Sequence, residues 1–203
     1  MPTELFWAFL HWIQSNFLEF IAVIAGIIGV YLTARLIIWC WPVAIINVLL
    51  SAYIFYHSKL YQDSLLQVFY LVMAVYGWYN WMHGGKNKTA LKISRLRFKW
   101  IIIWLFTGSV CIFLFGYIFG NYTDASLPYW DASTTVWGII GTFLMASKKI
   151  ENWIVWIIID ILNAGIYYYK ELYSFSILYL VFTILAVYGL INWYQELKLQ
   201  KQE

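Results

Sequence analysis

Charge is what this chain has least of. Asp, Glu, Lys and Arg together make up 11% of its 203 residues. So little charge does not suit a soluble core of this size and points to the lipid bilayer. Cysteine is nearly absent too. Cys40 and Cys111 lie in separate apolar runs, which excludes a disulfide framework and a thiolate metal site. The three histidines, His11, His57 and His83, are scattered. With neither a His cluster nor Cys spacing, no metal and no cofactor are expected. Several motifs are missing. There is no G-x-x-x-x-G-K-[ST] loop, so no ATP hydrolysis by that route. There is no H-E-x-x-H and no G-x-S-x-G, which argues against an intramembrane protease or serine hydrolase. The last apolar segment has no lysine for a retinal Schiff base. No catalytic residue, and no enzyme, is expected. The opening MPTELFWAFLHW has an early Glu4 and no basic stretch, so it does not read as a cleaved signal peptide.

What is present is apolar and aromatic: 63% hydrophobic residues, 22% Phe, Trp and Tyr. Seven segments approach the ~20 residues that span a bilayer. They run over about 17–36, 38–56, 64–82, 100–120, 130–147, 153–169 and 174–194. The expected fold is therefore an all-α integral membrane protein with seven transmembrane helices. Residues 1–16 precede the first span, and 2–15 read as a short interfacial helix. A basic loop covers 83–99, and a tail covers 195–203. Seven spans place the termini on opposite sides. Arg35, Lys86, Lys88, Lys92, Arg95, Arg97, Lys99, Lys148, Lys149, Lys198 and Lys201 then share one side, and only Lys59 and Lys170 the other. By the positive-inside rule the N-terminus is outside and the C-terminus cytoplasmic. The 83–99 loop reads as a topology signal that also touches anionic lipid. Nucleic-acid binding is not expected of so short a loop.

A shift of 112 residues aligns Gly26–Trp81 with Gly138–Trp193 without a gap, with 25 of the 56 positions identical. Trp41 falls on Trp153, Ala74-Val75-Tyr76-Gly77 on Ala186-Val187-Tyr188-Gly189, and Asn80-Trp81 on Asn192-Trp193. The repeat unit is three spans, 17–82 and 130–194, with the 100–120 span as an unmatched linker. Because three is odd, the linker returns the second unit to the same orientation. The expected architecture is thus 3+1+3, two parallel repeats about an axis along the membrane normal, with a solute site between them. The halves differ where Asp160 falls on Val48, Asn163 on Ser51 and Trp156 on Ala44. Gly26, Gly29, Gly138 and Gly141 read as points of close helix contact.

The stretch ENWIVWIIIDILNAGIYYYK, residues 151–170, carries the chemistry. A carboxylate at mid-membrane costs roughly 2.5–3.5 kcal/mol on insertion scales, so Asp160 must face a protein interior or a watery cavity. At 100° per residue, Trp153, Trp156, Asp160, Asn163 and Tyr167 fall within roughly an 80° arc. Ring faces attract cations, and a carboxylate adds a counter-charge. The face suits a flat, cationic, partly polar ligand. Asn47, Ser51, Gln67, Thr134 and Thr135 are further intramembrane polar groups, available to a ligand or to neighbouring helices. Trp153 reads equally as an interfacial belt residue, and Trp81 and Trp193 read mainly as such.

The stretches Ile46-Asn47-Val48, Leu60-Tyr61, Leu66-Gln67-Val68-Phe69, Tyr76-Gly77-Trp78-Tyr79, Pro128-Tyr129-Trp130-Asp131 and Glu151-Asn152-Trp153-x-x-Trp156 resemble the Pnu family of bacterial vitamin transporters. The resemblance spans the first to the last segment. It implies a 3+1+3 fold akin to that of SWEET sugar transporters, in the bacterial inner membrane. It also implies facilitated diffusion of a vitamin precursor, trapping by a cytoplasmic kinase, and a homotrimer. Trp153, Trp156 and Gln67, with Asn47, would line the substrate site. Nicotinamide riboside members resembling this chain read W-x-x-W-x-x-x-N on this helix, and Asp160 departs from that pattern. The intact W-x-x-W favours nicotinamide riboside, and thiamine, also cationic, stands close behind. A proton-coupled carrier using Asp160 and a non-transporting heptahelical receptor are the other readings.

Overall fold

The computed structural model describes residues 17–59, 61–122, 127–200 and 202. The expected interfacial helix over 2–15 lies outside these residues. The described residues form seven α-helices: α1 (Phe17–Ala34), α2 (Cys40–His57), α3 (Tyr61–His83), α4 (Phe98–Tyr122), α5 (Pro128–Ala146), α6 (Asn152–Tyr169) and α7 (Tyr173–Leu199). Each coincides with one expected segment to within a few residues. By length and composition α1, α2, α4 and α7 are apolar enough to cross a membrane. The less apolar α3, α5 and α6 carry Asp63 and Gln67, Asp131 and Thr134, and Asp160 and Asn163.

The apolar runs end at tight reversals. Pro128 opens α5 at a first-turn position, where its missing N–H costs no intrahelical bond. At the end of α1 the Leu36 N–H bonds to the Thr33 carbonyl and the Ile37 N–H to the Leu32 carbonyl, with Leu36 at φ 58°. At the end of α5 the Lys148 N–H bonds to Met145 and the Lys149 N–H to Leu144, with Lys148 at φ 45°. These are Schellman closures built on left-handed residues other than glycine. A second pair of left-handed residues, Lys59 and Glu171, follows α2 and α6. Both pairs are 112 residues apart.

Packing follows the same interval. The chain neighbours α1–α2, α2–α3, α5–α6 and α6–α7 pack together, α4 lies on α5, and α1–α7 and α3–α5 cross between the halves. Trp81 Nε1 donates to the Met145 carbonyl (3.1 Å) and Asn80 Nδ2 to that of Ala146 (2.9 Å). Trp193 Nε1 donates to the Thr33 carbonyl (3.0 Å) and Asn192 Nδ2 to that of Ala34 (2.8 Å). Ser64 bonds to the Ala52 carbonyl and Ser176 to that of Ala164. Trp41 meets Trp81 edge to face at 5.4 Å, Trp153 meets Trp193 likewise at 5.5 Å, and Trp81 and Trp193 approach to 5.7 Å. The four indoles make one cluster. Trp81 and Trp193 are therefore not belt residues: they are 2% and 0% exposed. Trp153 is buried as well. The reason is that each indole N–H reaches across to the other half, where the Thr33 or Met145 carbonyl, already closed by the Leu36 or Lys148 N–H, accepts it on its second lone pair.

The 83–99 connection is more than a charge signal. It is an ordered strap with buried Ile93 at its centre. Ser94 pairs in parallel with Lys149, the Leu96 N–H donates to Glu151 Oε2 (3.0 Å), and Lys149 Nζ donates to Ser94 Oγ (2.8 Å). Lys148 Nζ donates to the Leu91 carbonyl (2.8 Å) and sits 4.4 Å from the Trp81 ring centroid. Burial pushes the Lys148 ammonium below its usual range, and the ring and the carbonyl offset part of that cost.

Two glycines make the indole cluster possible. A Cβ on Gly77 would come within 2.2 Å of Trp41, and one on Gly189 within 2.5 Å of Trp153. Gly77→Ala and Gly189→Ala should each destabilise the fold by about 1–3 kcal/mol, the usual range for overpacking. Gly165 has nothing within 4 Å of such an atom, and Gly165→Ala should be neutral or slightly stabilising. Thermal unfolding of the purified protein in detergent distinguishes the two classes.

Candidate functional site

Below the indole cluster the two halves separate and leave a cavity of about 310 Å³. Gly26, Gly29 and Thr33 of α1, Trp41, Ala44 and Asn47 of α2, Trp153, Trp156 and Asp160 of α6, and Tyr179, Phe182 and Ala186 of α7 line it. The glycines set back the α1 wall: a Cβ at Gly26 would touch Asn47 Nδ2 and Phe182 at about 3.5 Å. Gly141 of α5 leaves room for the Trp156 indole, which an added Cβ would meet at 3.3 Å.

Asp160 is 5% exposed. Among the described residues its carboxylate has neither a hydrogen-bond donor nor a cation beside it, so the chain leaves its charge unmatched. Asn47 behaves differently, donating from Nδ2 to the Ala22 carbonyl and leaving its amide oxygen free to accept. Two indole donors of lining residues lie behind this wall. The indole Nε1 atoms of Trp41 and Trp153 are buried with no acceptor among the described residues. Thr33, by contrast, satisfies its hydroxyl on the Gly29 carbonyl (2.8 Å). The cavity thus offers aromatic faces, one carboxylate, one amide oxygen and no basic side chain in its lining. Such a lining is chemically suited to a flat cation with hydrogen-bonding edges.

A second cavity, about 660 Å³, lies farther along α6, away from the indole cluster. Asp63 and Phe69 of α3, Asp131, Thr134 and Thr135 of α5, and Asn163, Tyr167 and Lys170 at the end of α6 line it. The expected single face of α6 is therefore divided. Trp153, Trp156 and Asp160 open on the first cavity with Asn47, while Asn163 and Tyr167 open on the second. The stacked rings of Tyr167 and Tyr179, 5.3 Å apart and 10° from parallel, belong one to each cavity and partition them. Gln67 is half-buried on α3 and lines neither.

Four lining residues were not singled out in the sequence: Trp41, Thr33, Tyr179 and Phe182. The 112-residue shift held the signal for two of them, since it places Trp41 on Trp153 and Gln67 on Tyr179. A candidate on one half calls for inspection of its partner on the other.

Comparison with known proteins follows this geometry. A family model described as nicotinamide mononucleotide transporter matches residues 16–195. The chain is 29% identical over 206 residues to the nicotinamide riboside transporter PnuC of Escherichia coli, covering 88% of this chain and 85% of that protein. It is 27% identical over 178 residues to the riboflavin/roseoflavin transporter RibM of Streptomyces davaonensis, covering 84% and 81%. A crystal structure of the vitamin B3 transporter PnuC has the same fold, with a TM-score of 0.74 at 23% identity over 94% of this chain and 86% of that one.

If the tyrosine pair is the partition, removing one ring should join the cavities. In a Cys40→Ala, Cys111→Ser background carrying Ala25→Cys in the first cavity, an impermeant thiol reagent applied from the Asp63 and Asp131 side should label slowly. Adding Tyr179→Ala should raise that rate at least tenfold, as measured by mass shift of the labelled protein.

Proposed function

Because the chain belongs to the nicotinamide mononucleotide transporter family, a family of membrane transporters and not of enzymes, we propose that it imports a cationic vitamin precursor through a site centred on Asp160, Trp156 and Trp153. Nicotinamide riboside is the first substrate. Its pyridinium is flat and positively charged, and it carries a carboxamide and ribose hydroxyls.

The observation that carries this reading is the unmatched Asp160 carboxylate in a cavity walled by aromatic rings. A buried charge without a partner is costly, and a cationic ligand supplies the partner. Ring faces add roughly 2 kcal/mol or more for a desolvated cation. The ligand's polar edges are met by the Asn47 amide oxygen. Asn163 and Tyr167 then serve the substrate in the second cavity, on its way to Asp160. Gln67 has no place on this route in the present conformation.

The remaining parts of the reading rest on pattern and on the resemblance. Seven spans arranged as 3+1+3 fit the recurrence of caps, turns and ring contacts at 112 residues. The basic ends of the helices, the strap included, face the cytoplasm. By the resemblance, transport is facilitated diffusion, with a cytoplasmic kinase trapping the imported vitamin and a homotrimer as the assembly. Thiamine, a flat cation of similar size, is the second substrate reading. A relative that carries riboflavin shows that ring systems vary among similar proteins, but a neutral flavin leaves Asp160 unmatched. Proton coupling is favoured by the same unmatched carboxylate, which can itself hold the proton.

Equilibrium binding to the purified protein tests the site. Nicotinamide riboside should bind with micromolar or tighter affinity, and Asp160→Asn should weaken it at least tenfold. Unchanged affinity removes Asp160 from the site, and tighter binding of thiamine reassigns the substrate. Flux into liposomes holding the protein alone should proceed without a pH gradient; flux that requires one establishes proton coupling instead.

A further inference from the structure

We propose that the cleft between α4, α5 and α6 holds one acyl chain of an anionic diacyl phospholipid, whose phosphate rests on Arg97 and Lys99. This cleft is a third cavity, about 390 Å³, on the side of α6 turned away from Asp160. Its walls are almost wholly apolar. Trp104 and Leu105 come from α4, Trp137 and Ile140 from α5, and Ile154 and Ile158 from α6. Leu105, Ile154 and Ile158 are about half exposed, so the cleft opens sideways to whatever surrounds the bundle. Of its few polar groups, Thr134 and Glu151 are occupied, while Ser133 has no partner among the described residues. Thr134 Oγ1 donates to the Trp130 and Asp131 carbonyls, and Glu151 Oε2 accepts from the Leu96 N–H. Nothing in it would hold the polar vitamin.

Length and charge select the occupant. The lining runs along α6 from Glu151 to Leu162. At 1.5 Å per residue that is about 16 Å, roughly half of the ~30 Å hydrocarbon core. The cleft is one leaflet deep. Its mouth is basic: the lining residues Leu96 and Ile101 bracket Arg97 and Lys99 in the chain, and both are exposed. Their neighbours are already engaged. Arg95 lies 5.6 Å from the Tyr194 ring centroid, and Lys149 donates to Ser94. Among the described residues no carboxylate pairs with Arg97 or Lys99, and Lys99 rests over the Trp100 ring at 5.6 Å. Arg97, with no carboxylate partner among the described residues, and Lys99, held only by a ring face, stand in the chain at the head of an apolar slot one leaflet deep and match an anionic headgroup above its chain. Basic sites at the cytoplasmic face of helix bundles bind such headgroups. A chain filling the slot would pack against Ile158 and Ile159, next to Asp160 on the same helix.

Native mass spectrometry of the full chain, taken from bilayers of equal phosphatidylglycerol and phosphatidylcholine, tests the assignment. The protein should retain one phosphatidylglycerol at least fivefold over phosphatidylcholine. Arg97→Gln with Lys99→Gln should lower that preference at least fivefold. Ile158→Trp, which fills the slot, should abolish retention of the tightly held lipid while thermal unfolding shows the variant folded. Equal retention of the two lipids, or retention untouched by both variants, overturns the proposal. So does efficient disulfide crosslinking between copies through Leu105→Cys and Ile158→Cys, which would place a second copy in the cleft.

Discussion

The carbonyls at the ends of α1 and α5 constrain the rest of the structure. The helix closures leave the Ala34 and Ala146 carbonyls without a backbone donor and give those of Thr33 and Met145 one each, so every one of them can still accept. Here the donors come from the opposite half. Trp193 and Asn192 bond to Thr33 and Ala34, and Trp81 and Asn80 to Met145 and Ala146. Each half thus closes the other, and the four indoles between them are tied by ring contacts as well as by hydrogen bonds. The consequence is a bundle sealed at one end. The space between α1, α2, α6 and α7 cannot collapse onto that end, and the cavity around Asp160 forms below it.

Within this near-repeating frame, function lies in the exceptions. Where α2 has Val48, buried and apolar, α6 has Asp160; where α2 has Ala44, α6 has Trp156. The frame tolerates these changes because the surrounding contacts recur. Ser64 and Ser176 make the same bond, and the left-handed turns after α2 and α6 match. A solute without two-fold symmetry cannot be recognised by two equivalent walls. The two walls here are not equivalent: Asp160 and Trp156 stand on one and Asn47 and Ala44 on the other, with Trp41 and Trp153 retained on both sides.

Much of this was legible in the sequence, and the failures have physical causes. The helices followed from apolar runs of bilayer length, and their bounds held because tight turns leave little room for error. Asp160, Trp156 and Trp153 followed from the cost of burying a carboxylate among apolar residues. Two things were hidden. A helical arc states which side chains share a face, not which neighbour that face meets. Asn163 and Tyr167 share a face with Asp160 but line the second cavity, where Tyr167 stacks on Tyr179, a residue from another helix. Trp81 and Trp193 read as belt residues because hydropathy cannot see a carbonyl arriving from a segment about 160 or 64 residues away in the chain. The strap was hidden for the same reason: its bonds to Lys148, Lys149 and Glu151 lie far off in sequence.

That strap adds to the hold on the second half. It fastens the α5–α6 turn through Ser94, Leu96 and Leu91. Lys148 is held there by a carbonyl and the Trp81 ring, so its charge stays put although burial disfavours it. The Asp160 cavity meets this frame from both halves: Gly26 and Gly29 of α1 and Trp41 and Asn47 of α2 on one side, Trp153, Trp156 and Asp160 of α6 on the other, so a shift of either half against the other reshapes the space between them.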